Sequence, residues 1–67
     1  MHYRLYAMYA HGLDSKSLYE ELEEFQLNVV DMIERVVVHG EVDIANLEQI
    51  SSILYKYGYT EFSLIRI

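Results

Sequence analysis

Val29-Val30-Asp31-Met32-Ile33-Glu34-Arg35-Val36-Val37-Val38 admits two readings, and the fold follows from the choice between them. Taken with the residues before it, the stretch continues a stripe of Leu18, Leu22, Phe25, Val29, Met32 and Val36 at spacings of four, three, four, three and four. That pattern fits one helix over 15–38 with a coiled-coil-like seam. Taken alone, it ends in three consecutive valines, whose branched side chains lose rotamer freedom in a helix and pack well in a buried strand. A strand at 32–38 is favoured, because the chain then repeats a unit.

The repeat is visible in the residues. Tyr9-Ala10-His11-Gly12-Leu13-Asp14-Ser15-Lys16-Ser17-Leu18 is echoed by Val37-Val38-His39-Gly40-Glu41-Val42-Asp43-Ile44-Ala45-Asn46-Leu47. In each copy a β-rich run meets His-Gly, and an aspartate precedes a leucine by four residues. Glycine admits positive φ and aspartate caps a helix, so both sites read as strand-to-helix punctuation. Outward from there, 2–10 is a strand built on Tyr3, Leu5, Tyr6, Met8 and Tyr9. Asp14 or Ser15 caps a first helix over about 15–28, with Asn28 a tolerable left-handed terminator. Asp43 caps a second helix carrying Ile44, Leu47, Ile50, Ile53, Leu54 and Tyr57, closed by Gly58. A last strand occupies 60–67, with Phe62, Leu64, Ile65 and Ile67. The order is βαβαβ, an α/β arrangement. A short extra strand at 41–44 would convert it to the α+β ferredoxin-like βαββαβ plait. Either way one domain, 1–67, places two helices on one face of a three- to four-stranded sheet.

Composition narrows the function. Sixty-seven residues without cysteine have neither disulfide nor thiol ligand, and a single core of this size rarely supplies more than ~3–5 kcal/mol. Self-association is the remaining remedy, so a homodimer or a stable complex is expected. Eleven acids against five scattered bases, a formal net charge of −6, argue against gripping a phosphate backbone and toward a basic or amphipathic protein partner. No run approaches the ~20 apolar residues of a membrane span, and a cytoplasmic protein that touches neither membrane nor nucleic acid directly is expected.

Four surface features are candidates. Glu20, Glu21, Glu23 and Glu24, beside Tyr19, form an acidic cluster with no interleaved lysine; it is either a solvated face or a docking surface for a basic protein, such as one that binds nucleic acid. Seven tyrosines are unusually dense for this length, and because Tyr6 must point opposite to Tyr3 and Tyr9 on one strand some rings lie near the surface, as ordinary core and rim packing or as an association surface. Ser51 and Ser52, with Tyr55 and Phe62, make the second helix and last strand a self-association candidate. His11 and His39 would approach each other only if both His-Gly loops lie at one end of a parallel sheet, which gives a small-ligand site the least support. Gly12 and Gly40 lack the further residues of a phosphate loop, and no serine has a nucleophile-elbow context. No catalytic residue, metal ligand or cofactor is assigned. The expectation is a non-enzymatic protein-binding module, a regulator or inhibitor of the sort found among phage accessory proteins, acting through its glutamate-rich helix. The alternative is a self-assembling structural subunit.

Overall fold

Alternation organises the first strand. Along β1 (His2–Ala10), Tyr3, Leu5, Ala7 and Tyr9 share one face, while Arg4, Tyr6 and Met8 share the other. Leu5 and Ala7 are buried under the helices, so one face of β1 is core and the other lies open. The computed structural model describes residues 1–10, 14–32 and 34–67.

Asp14 caps α1 (Ser15–Leu22): its Oδ1 accepts from the Ser17 backbone N–H at 3.1 Å and its Oδ2 from the Ser17 hydroxyl at 2.7 Å. These bonds satisfy a helix-end donor and hold the Asp14 carboxyl below its ordinary pKa. Leu18 and Leu22, one turn apart, are fully buried, and each such burial is worth roughly 1.5–3 kcal/mol. The helix then tightens into a 3-10 turn at Glu23–Phe25 and ends at Gln26, which takes φ 59° and returns its N–H to Glu23 O at 2.9 Å. The first helix is therefore shorter than the expected 15–28, and Gln26 rather than Asn28 supplies the left-handed stop.

That early stop decides the ambiguous stretch. β2 (Asn28–Asp31) and β3 (Arg35–Asp43) form an antiparallel hairpin, in register from Asn28 opposite His39 to Asp31 opposite Val36. The long-helix alternative for 15–38 is thus excluded, and the single strand at 32–38 is replaced by two. The His39-Gly40 step does not end a strand: β3 runs through it to Asp43, absorbing the extra strand expected at 41–44. The added strand of the plait is β2 instead. Gly40 has a packing reason. Its φ is +152°, and a Cβ there would stand 2.9 Å from Leu27 Cδ2, so the glycine lets the buried Leu27 lie against the sheet.

Asp43 does act as a cap, accepting from the Ala45 N–H at 3.0 Å, but over a 3-10 turn (Ile44–Asn46) that leads into α2 (Leu47–Lys56). Ile50 and Leu54 are the fully buried residues of α2, and Gly58 follows its cap with φ 100°, the terminator the sequence marks. β4 (Phe62–Arg66) is shorter than the expected 60–67.

The sheet order is β2-β3-β1-β4 with every neighbouring pair antiparallel, so the element order is the βαββαβ plait and the class is α+β. The strands joined through each helix, β1 with β2 and β3 with β4, run parallel but are separated by another strand. The core lies between sheet and helices and is built from Leu5, Ala7, Val36, Val38 and Val42 below and Leu18, Leu22, Ile50 and Leu54 above. Tyr59 fills its end, fully buried, with its hydroxyl donating to Val36 O at 2.9 Å. Burial pushes that phenol up to about 12, and the charge of Asp31 adds to the rise.

Candidate functional site

Both helices cover the same side of the sheet, and among the described residues no helix covers the other, bare side. Its strand positions are Arg4, Tyr6 and Met8 on β1, Val30 on β2, Val37, His39 and Glu41 on β3, and Ser63 and Ile65 on β4. Tyr6 is 47% exposed, Val30 43%, Met32 50% and Ile65 63%, while Val37 at their centre is only 5% exposed because its neighbours wall it in. Together they shape a shallow trough of about 790 Å³ with mostly apolar walls. Exposed side chains of this size usually occur singly on a folded protein, whereas here they form a contiguous set. Arg35 at one end of the face directs its Nη1 to Met8 Sδ at 3.1 Å, and Arg4 lies opposite Glu41 at the other.

The acidic cluster is split by the structure. Glu20, Glu23 and Glu24 are exposed, as is Tyr19, but Glu21 turns toward α2, where its carboxylate accepts from Lys56 Nζ at 2.6 Å and from the Tyr57 hydroxyl. Those two donors hold the Glu21 carboxyl below its usual range, and the same bond to Glu21 lifts the Tyr57 phenol to about 12. Glu21 therefore ties the two helices together, and the acidic surface open to a partner is Glu20, Glu23 and Glu24. Glu24 also borders a shallow groove of about 770 Å³ between the 3-10 turn and α2, with Phe25, Glu48, Gln49, Ser52 and Ile53.

The proposed self-association residues fall in two places. Tyr55 and Phe62 meet, their ring centroids 6.0 Å apart, joining the outer side of α2 to β4. Ser51 lies one turn before Tyr55, whereas the neighbouring Ser52 faces the groove on the other side. Of the histidine pair, His11 lies outside the described residues. His39 sits within β3 on the bare face, opposite Tyr6 and Asn28, and not in a loop. The shared-loop geometry that would have joined the two histidines is thus withdrawn, since it needed His39 to follow a strand. His2 approaches Asp43, its direct partner across β1 and β3, at 3.9 Å. Among the described residues no three His, Asp or Glu side chains converge as metal ligands, and no helix is long and apolar enough to cross a membrane.

The bare face carries residues that sequence reasoning passed over, and a signal for it was present. Tyr6 and Met8 alternate with Leu5 and Ala7, and Val37 interrupts the alternation of Val36 and Val38, so both faces of the two central strands read as apolar. Two helices can cover only one of them. No family model, curated protein or solved structure matches this chain.

Proposed function

We propose that this chain is a small non-catalytic protein-binding module whose working surface is the uncovered face of the sheet. The observation that carries the reading is the contiguous exposure of Tyr6, Met8, Val30, Met32 and Ile65 around a buried Val37. Burying such side chains against another protein gains about 25 cal/mol per Å² of apolar surface, and tyrosine and methionine are favoured at interface centres. The test is affinity capture with mass spectrometry, comparing tagged wild type with Val30→Asp and Ile65→Asp in cells that also express the untagged chain. The reading expects proteins bound by the wild type, untagged copies included, to be lost from both variants. An unchanged set of captured proteins refutes it.

A second reading assigns the helix layer to a basic partner, which would make the module a regulator or inhibitor acting through α1. It rests on the exposure of Glu20, Glu23 and Glu24 beside Tyr19. Changing those three glutamates to glutamine, with Glu21 left in place to keep its tie to α2, separates the two. This reading expects basic proteins to drop out of the capture with the glutamine variant alone.

A further inference from the structure

We infer that the occupant of the bare sheet face is a second copy of this chain, packed sheet against sheet about a two-fold axis. The inference rests on the sheet face being the working surface and adds what sits there.

Charge selects the occupant. The face carries Arg4 and Arg35 against Glu41, with Glu61 at its rim beside Tyr6 and Met8 and Glu34 at its rim beside Met32 and Arg35. Two bases thus stand against three acids. The rest of the chain holds the remaining eight acids and three bases, so nearly all of the formal net charge of −6 lies away from this face. Two copies meeting by their helix layers would bring like charge together, whereas meeting by their sheets keeps the acidic layers on opposite outsides. A strongly basic partner gains little here, because Arg4 and Arg35 nearly balance the acids it would pair with. A two-fold contact is self-complementary, each residue meeting its counterpart in both directions. The arginines and Glu41 supply both signs at the margins of an apolar centre, which suits such a contact.

Size is consistent with a modest dimer. Strands of nine, four, nine and five residues, each residue covering ~3.3 by 4.8 Å of sheet, give roughly 430 Å² of flat area per copy. Side-chain relief raises the accessible area, and two such faces approach the ~1,000 Å² at the lower end of specific interfaces. Antiparallel sheets with one solvated face pair in this manner at about 10 Å separation.

The experiment is sedimentation velocity on the purified chain from ~1 to ~300 μM, a range chosen for a micromolar dissociation constant. A chain of 7.9 kDa should shift toward twice that mass across the series. Ile65→Asp and Val30→Asp, on opposite edge strands and both at exposed positions, should each weaken the dimer by ~30-fold or more, with circular dichroism confirming an unchanged fold. Arg4→Glu with Arg35→Glu should also dissociate it, with recovery at high salt; against a basic partner the same change would strengthen binding. A wild type that stays monomeric at ~300 μM overturns the inference, as does a dimer indifferent to all three variants. If the monomeric wild type still loses its captured proteins on Ile65→Asp, the protein-binding reading stands and only the second copy is withdrawn.

Discussion

Replacing Gly40 with alanine tests the feature that most separates the structure from the sequence. In a connecting loop at positive φ, as the His39-Gly40 step reads, alanine meets backbone strain alone, about 1–2 kcal/mol, and no side chain in its way. Within β3 it meets two penalties. The backbone φ of +152° is one that L side chains rarely adopt, and such strain costs about 1–3 kcal/mol. The new methyl would lie 2.9 Å from Leu27 Cδ2, and because Leu27 is itself buried its displacement adds about 1 kcal/mol of overpacking. Together these give about 2–4 kcal/mol, most of the stability available to a single core of this size. At roughly 4–8 °C per kcal/mol for a small domain, the melting temperature should fall by at least ~8 °C in a circular dichroism melt. A double-mutant cycle refines the result. Leu27→Ala alone destabilises by ~2–5 kcal/mol, but in its presence Gly40→Ala loses the steric part of its penalty, so the double variant loses less than the sum of the two single losses. A melting temperature within ~2 °C of wild type for Gly40→Ala, or strict additivity in the cycle, refutes the close approach of Leu27 to β3.

Other positions give distinct readouts. Gly58→Ala places a Cβ 3.0 Å from the Tyr9 ring at φ +100°, and should lower stability by about 1–2 kcal/mol in urea unfolding. Leu54→Ala, at a fully buried site on α2, should cost ~2–5 kcal/mol and leave much of the protein unfolded at 37 °C by near-ultraviolet dichroism. Tyr59→Phe removes the hydroxyl's bond to the Val36 carbonyl, which keeps its place in the sheet, and should cost about 0.5–1.5 kcal/mol at neutral pH. The phenols of Tyr59 and Tyr57 both sit at about 12 in the folded chain, so the stability they contribute is complete below pH ~10 and is lost as pH rises toward 12. The alkaline decline in the urea midpoint should therefore be shallower in Tyr59→Phe. Glu21, held below its ordinary pKa by Lys56 and Tyr57, contributes above that ordinary value and loses its contribution as pH falls through the lowered one; Glu21→Gln should flatten the acid limb of the same curve.

Much of this architecture could be read from residue types, and the parts that could not have physical causes. Asp14, Asp43 and Gly58 announced two caps and a terminator, because short polar side chains and glycine relieve local backbone demands that do not depend on distant packing. The apolar spacing of α2 was equally plain. The end of α1 was not, since Gln26 adopts a left-handed conformation that ordinary residues avoid, and only the turn to β2 imposes it. Val29 lies at helical spacing from Phe25 by coincidence, and its true partner is Val38 across the hairpin. Gly40 mimicked loop punctuation because a glycine admitted for close packing looks the same in a sequence as one admitted for a turn. The glutamate cluster was legible as charge, but the diversion of Glu21 depends on Lys56 and Tyr57, thirty-five and thirty-six positions away. The bare face was encoded as apolar residues on both sides of β1 and β3, a pattern that equally suits a sheet sandwiched between two layers.

The earliest strand to be synthesised is an inner one. β1 pairs along its whole length with β3 and on its other flank with β4, across intervals of about 33 and 60 residues. A ribosome making this chain therefore exposes a nine-residue strand with three tyrosines well before either neighbour exists. Its complementary flanks arrive in turn, β3 first and β4 last. Such reliance on distant pairings slows assembly relative to helical proteins of equal length, and it leaves nascent chains with an unsatisfied backbone edge that other nascent chains can match. Yield during expression should accordingly respond to translation rate and temperature more than the folded molecule's melting point would suggest.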